Sequence, residues 1–148
     1  MSLIVYTDGS CRGNPGPGGW AYRIEYNCGK AAVEASGFQE STTNNRMELT
    51  ACIEALAGID AQVSVVVRTD SRYITDGLQS WIPQWKLNGW RTKTKTAVKN
   101  QDLWQRLDAL VQRLTLVLQC PLSFEWVKAH NGDPGNERVD ALAKQAHS

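Results

Sequence analysis

The chain opens on a short apolar run, Leu3 to Tyr6, that ends through Thr7 in the carboxylate of Asp8. Leu3, Val5 and Thr7 fall on one side of an extended run, and Ile4, Tyr6 and Asp8 fall on the other. Residues 3–8 therefore read as a strand, stopped by the turn-rich stretch from Gly9 to Gly19. Residues 19–26 alternate aromatic or aliphatic with small and polar residues, residues 33–39 do so more weakly, and Asn27-Cys28-Gly29-Lys30 supplies the turn between them. The three strands are expected to form an antiparallel meander. Ser41-Thr42-Thr43-Asn44-Asn45 is rich in helix-capping residues, and Asn45-x-x-Glu48 has capping-box spacing, so a helix is predicted over about 44–58. Its main apolar stripe is Leu49, Ile53 and Leu56; Ala51, Cys52 and Ala55 lie on the side of Glu48.

Residues 63–70 are β-branched almost throughout, which predicts an interior strand covered on both faces and ended by Asp70. A short helix over 71–77 completes a strand-loop-helix unit, which sets Asp70 at the strand's C-terminal end. Residues 81–95 read as a second short helix followed by an exposed loop. Apolar residues at 103, 104, 107, 110 and 111 mark an amphipathic helix over 100–111, with Asn100 as its cap. Residues 115–120 are apolar without a period, and 122–127 form the last strand. A final helix starts with Asp133 as cap and Pro134 at its first position; Val139, Leu142, Ala143 and Ala146 form its apolar face.

A chain of 148 residues with 42% hydrophobic content suits one domain, 1–148, with a single core. No run approaches the ~20 apolar residues of a membrane span. No basic flank and long apolar core of a signal peptide open the chain, so the expectation is a cytoplasmic protein without membrane contact, monomeric by default. The four cysteines show neither zinc-ligand spacing nor a disulfide framework, and Cys52 and Cys120 read as small core residues. Net charge is only +1, but between Gly77 and Gln101 lie five basic residues, Lys86, Arg91, Lys93, Lys95 and Lys99, and no acid. Three of the six tryptophans stand in the same stretch. Aromatic faces beside cationic groups suit the bases, sugars and phosphates of a nucleic acid, although Trp81 and Trp85, spaced i and i+4, could also pack on the core.

Four carboxylates carry the candidate chemistry: Asp8, Glu48, Asp70 and Asp140. Each has an ordinary explanation when taken singly. Asp8 could begin a turn, Glu48 and Asp140 could offset helix dipoles, and Asp70 could cap a helix. Four such explanations in one small domain are less economical than one shared metal site.

Together the motifs resemble those of the bacterial type 1 ribonucleases H. They run in order from Tyr6-Thr7-Asp8-Gly9-Ser10 and Gly13-Asn14-Pro15-Gly16-Pro17-Gly18-Gly19 through Thr42-Thr43-Asn44-Asn45-Arg46-Met47-Glu48-Leu49 and Thr69-Asp70-Ser71. They end in Val127-Lys128-x-His130 and Asn136-Glu137-Arg138-Val139-Asp140. The resemblance implies an α/β fold: a mixed five-stranded sheet flanked by helices, its first three strands antiparallel and its last two parallel to the first. It also implies endonucleolytic hydrolysis of the RNA strand of RNA-DNA hybrids by two-metal-ion catalysis, leaving 3′-hydroxyl and 5′-phosphate ends. Asp8, Glu48, Asp70 and Asp140 would hold two Mg²⁺, with Mn²⁺ as a possible substitute. His130 would assist proton transfer or product departure.

The resemblance assigns the substrate contacts as well. Asn14, Asn44 and Asn45, with Glu48, would test the minor groove and 2′-OH of the RNA strand. Thr43, aided by Arg46, would hold a DNA-strand phosphate. Trp81, Trp85, Lys86, Arg91, Lys93, Lys95 and Lys99 would form a basic protrusion, about 81–99, that grips the DNA strand. Three places depart from the pattern: Arg72 stands where a neutral Gln is common, Ala129 replaces a frequent Gly, and the segment 114–121 looks longer than usual. Arg72 would add a charge near the minor-groove contacts. Two other readings stay open: an integrase- or resolvase-like phosphoryl transferase on the same fold, and a catalytically silent hybrid-binding module. No GxSxG or Cys-His arrangement supports a Ser or Cys hydrolase.

Overall fold

The computed structural model describes residues 1–92, 94 and 96–148. Five strands, β1 (Ser2–Cys11), β2 (Gly16–Tyr26), β3 (Val33–Thr42), β4 (Ser64–Thr69) and β5 (Leu122–Trp126), form one sheet in the order β3-β2-β1-β4-β5. β1 pairs antiparallel with β2 and β2 with β3, while β4 runs parallel to β1 and β5 parallel to β4. The sheet is therefore the mixed one expected. Helix α1 (Asn44–Ala57) covers one face and α5 (Pro134–Ala146) the other; α4 (Gln101–Gln112) packs on the outside of α1. Between them lie two cores. Leu3, Val5, Val65 and Val67 meet Leu49, Ile53, Leu56 and Trp104 on the α1 side, and Tyr6 and Ala21 meet Val139 and Ala143 under α5. No helix among the described residues is long and apolar enough to cross a membrane.

Local chemistry sets the element ends, and several fall elsewhere than the sequence suggests. β3 continues to Thr42, so the chain must enter α1 at once, and its cap is Thr43, not Asn45: the Thr43 hydroxyl accepts from the Arg46 N–H at 3.2 Å. Glu48 is thereby freed from any capping-box duty. Ser71 caps helix α2 (Arg72–Asp76), which leaves Asp70 unused as a cap. Asp133 caps α5 as expected, accepting from the Gly135 and Asn136 N–H groups.

β4 is an interior strand but is sealed on one face only. Val65, Val67 and Thr69 are buried, whereas Ser64, Val66 and Arg68 are half-buried, because α5 lies over β1, β2 and β3. The two short helices expected after β4 are one helical path. α2 runs through a wide turn at Gly77–Trp81, in which the Ile82 N–H reaches back five residues to the Gly77 carbonyl, into α3 (Ile82–Leu87). Gly77 is required there: a Cβ would lie 2.1 Å from the Trp104 ring. A similar wide turn at Arg113–Val117 prolongs α4 through the first half of the segment whose sequence shows no period, and Gln119, at φ 57°, turns the chain toward β5. Asn100 precedes α4 in a left-handed conformation, φ 60°, and offers no side-chain cap. Its amide donates instead to the Tyr73 hydroxyl and its oxygen accepts from Arg46.

Candidate active site

The parallel pairing of β1 and β4 sets Thr7 beside Thr69, so the next residues, Asp8 and Asp70, emerge together at the C-terminal end of the sheet. Glu48 reaches them because the residue after Asp8 is glycine: a Cβ on Gly9 would lie 2.4 Å from the Glu48 backbone nitrogen. One carboxylate oxygen from each of Asp8, Glu48 and Asp70 lies within 4.8 Å of the other two. Asp140, on α5, lines the same cleft and meets the Lys144 ammonium at 3.1 Å. His130, on an exposed loop at φ 56°, also lines it, as do Asn44, Asn45 and Ser10.

The acids are poorly compensated. Asp8 is 3% exposed and accepts one hydrogen bond, from the Gly9 N–H at 2.9 Å. Glu48 is 9% exposed, and its Oε2 is buried without a hydrogen-bond partner among the described residues. Burial first, then the charges of Asp70 and Asp140, pushes the Asp8 carboxyl up to about 8. Glu48 stands well above the ordinary carboxylate range because of burial and then Asp8 and Asp70. Asp70 is raised by burial, tempered by the nearby Asn136 amide. Crowded oxygen donors that resist ionisation, one of them unpartnered, are what a hard divalent cation satisfies. The donor set fits such an ion.

The candidate substrate residues divide into those presented to the surroundings and those engaged within the fold. The Asn14 oxygen accepts from the Asn44 N–H at 3.1 Å, tying the Gly/Pro loop to the start of α1. Thr43 is the α1 cap. Arg46 forks onto Asp102 at 2.8 and 3.0 Å, and Lys86 pairs with Asp108 at 2.9 Å. Both charges are thus partly offset by acids of α4. Arg72 lies 4.0 Å over the Trp126 ring, whose Nε1 donates to the Asp70 carbonyl. Trp81 and Trp85 are half-buried and join Tyr73, Trp90 and Trp104 in one aromatic cluster. They also line an open cleft with Gln84, Asn88 and Arg91. Lys99 is exposed. Lys93 and Lys95 lie outside the described residues.

Four contributors escape a reading of the sequence: Gly9, Trp126, Asn136 and Lys144. Only Lys144 left a signal, its i+4 spacing from Asp140.

A family model described as RNase H matches residues 1–148. The chain is 52% identical over 143 residues to a Ribonuclease H of Polaromonas sp., covering 97% of this chain and 86% of the relative. It is 51% identical over 144 residues to a Ribonuclease H of Alcanivorax borkumensis, covering 97% and 90%. Among solved structures, LC9-RNase H1, a type 1 RNase H with the type 2 active-site motif, superposes with a TM-score of 0.83 at 34% identity, over 98% of this chain and 71% of that one. LC11-RNase H1 in complex with RNA/DNA hybrid superposes with a TM-score of 0.73 at 27% identity, over 99% and 96%.

Proposed function

Because the chain belongs to the RNase H family, we propose that residues 1–148 act as one catalytic unit that cuts the RNA strand of an RNA-DNA hybrid at the acidic cleft. The observation that carries this reading is the group of Asp8, Glu48 and Asp70 oxygens within 4.8 Å of one another. A silent binding module would gain nothing from buried like charges facing a polyanion. Asp8, Glu48, Asp70 and Asp140 would hold the divalent metal, Mg²⁺ in this reading with Mn²⁺ as a substitute; bound there, it would offset phosphate charge and favour a nucleophilic hydroxide.

The chain's own groups do the remainder. Asp8, half-protonated near its raised pKa of about 8, must lose its proton to serve as a ligand. The Gly9 N–H keeps its carboxylate oriented, and Trp126 fixes the main chain at Asp70. His130, on its exposed loop, would pass a proton to the departing 3′ oxygen. Asn44 and Asn45, set at the first turn of α1 by the Thr43 cap, would present amides to the RNA minor groove, with Asn14 beside them. The cleft lined by Trp81, Trp85 and Arg91 would take the DNA strand, with Lys99 and the lysines at 93 and 95 adding charge. Action as a monomer in the cytoplasm belongs to the same reading and rests on composition.

The test is a gel assay of one labelled RNA presented as a single strand, as an RNA duplex and as an RNA-DNA hybrid, with Mg²⁺ and with chelator. Cleavage confined to the hybrid and lost in chelator is expected. Binding of the hybrid without cleavage would favour the silent module, and cutting of DNA would favour the integrase-like reading.

A further inference from the structure

α5 runs along the rim of the acidic cleft with Asp140 and Lys144 at helical spacing on it, and His147 follows as the residue that ends it. Asp140 and Lys144 line the cleft and pair at 3.1 Å. The end of the helix is tied down where His147 Nε2 meets Ser10 Oγ at 2.9 Å, two residues beyond Asp8 on β1. Of the four acids, Asp140 alone has an ion-pair partner among the described residues. It also stands apart from the three whose oxygens lie within 4.8 Å of one another, although it is close enough to Asp8 to raise its pKa.

We infer that Lys144 is a built-in counter-charge that competes with the divalent cation for Asp140, an inference that rests on the metal-site reading above. An i,i+4 pair on an ordinary helix surface is a minor ornament. This one lies in the cleft where like charges accumulate, and Asp140 cannot serve both partners fully. Without the cation, Lys144 relieves the repulsion around Asp8 and stabilises the fold. With the cation, the pair must loosen, so cation binding is weakened by what the pair contributed. The released ammonium then faces the same cleft as the phosphates of the substrate.

The experiment is a calorimetric titration of MgCl₂ into the substrate-free protein, with the Mg²⁺-induced rise in melting temperature as a second reading that reaches weak binding. The variants are Lys144→Met, Lys144→Arg, Asp140→Asn and the Asp140→Asn/Lys144→Met double. Lys144→Met should bind Mg²⁺ about two- to fivefold more tightly, the size expected of a half-exposed ion pair. Lys144→Arg should match the wild type. In the Asp140→Asn background the gain should vanish. The same affinity in Lys144→Met, or a gain that persists without Asp140, overturns the inference, since the lysine would then act as a general field or not at all. A wild type that takes up no Mg²⁺ overturns the metal-site reading instead.

Discussion

At the acidic end of the sheet, Asp8 on β1, Glu48 on α1, Asp70 just after β4 and Asp140 on α5 come together; Asp8 and Glu48 are buried, and Glu48 Oε2 has no hydrogen-bond partner among the described residues. Around Trp85 the opposite holds: Trp81, Trp85 and Trp90 are near one another in sequence, Trp85 meets Trp81 and Trp90 at tilted angles and Trp104 edge-on, and Lys86 and Arg91 stay at the surface. The first region accepts electrostatic cost because ligand geometry demands it. The second incurs little, since ring burial stabilises it and exposed charge costs almost nothing. A nuclease needs positional accuracy where the bond breaks and only long-range attraction where the other strand rests. The two constructions follow those needs.

The sharpest way to break this contrast is Asp8→Asn. It should abolish hybrid cleavage, by at least ~10⁴-fold, a loss of the order seen when a central catalytic group is removed. Hybrid binding should be kept or improved, and the melting temperature of the metal-free protein should rise. Retained turnover at matched Mg²⁺ would remove Asp8 from the metal site.

Trp104→Ala should act the other way, costing about 3–5 kcal/mol in urea unfolding as the aromatic cluster loses its fully buried member. Gly77→Ala should cost about 1–3 kcal/mol through the clash with Trp104. If either substitution stabilised the protein, the cluster would not be the supporting element described above.

A smaller effect separates the regions by pH. Asp8 has a folded pKa of about 8, above its ordinary value, and Glu48 is raised too, so the folded state binds more protons than the unfolded state in that interval. Stability from these groups is full below the ordinary carboxylate range and is lost as pH rises toward 8. Melting curves in chelator should therefore fall over that interval and flatten in saturating Mg²⁺, which favours the ionised form. A fall of the same size in Asp8→Asn would point to other groups.

The smallest effects belong to the basic segment. Arg91→Ala should weaken hybrid binding and reduce the slope of log affinity against log salt by about 1. Asp108→Ala should free Lys86 and tighten low-salt binding by no more than about fivefold. An unchanged salt slope in Arg91→Ala would mean that the segment does not touch the phosphates.

Much of the fold was legible in the sequence because period-2 and helical patterns report burial directly. α1, α4 and α5 fall where their stripes put them; β1 and β2 form where expected but run on into the stretch read as a turn, β1 to Cys11 and β2 from Gly16. The capping-box spacing of Asn45 and Glu48 goes unused because Asn45 lies inside the helix; Thr43, another member of the same capping cluster, follows directly on the end of β3 at Thr42 and takes the role. The reading of β4 as covered on both faces failed because β-branched residues tolerate a half-covered face, and nothing in them reports how far α5 extends across the sheet. The acid-free run between Gly77 and Gln101 was real, yet it stops one residue before Asp102, which takes Arg46, and Asp108 reaches back from α4 to take Lys86. Charge counted along a chain does not see partners brought by folding.

By itself the sequence determined which residue types were available and on which local faces they lay: the four carboxylates, the Asn pair, the tryptophans and the lysines, each at a strand end, a helix turn or a loop. Such information is local, set by backbone sterics and by the periods of strand and helix. Tertiary structure alone decided that Asp8, Glu48 and Asp70 converge, that Gly9 lets α1 come close enough for this, that the Asp140–Lys144 pair faces the acidic cleft, and that Arg46 and Lys86 are partly engaged before any substrate arrives. Those outcomes depend on strand register and on distances between elements remote in sequence, which only the packing of the whole chain sets.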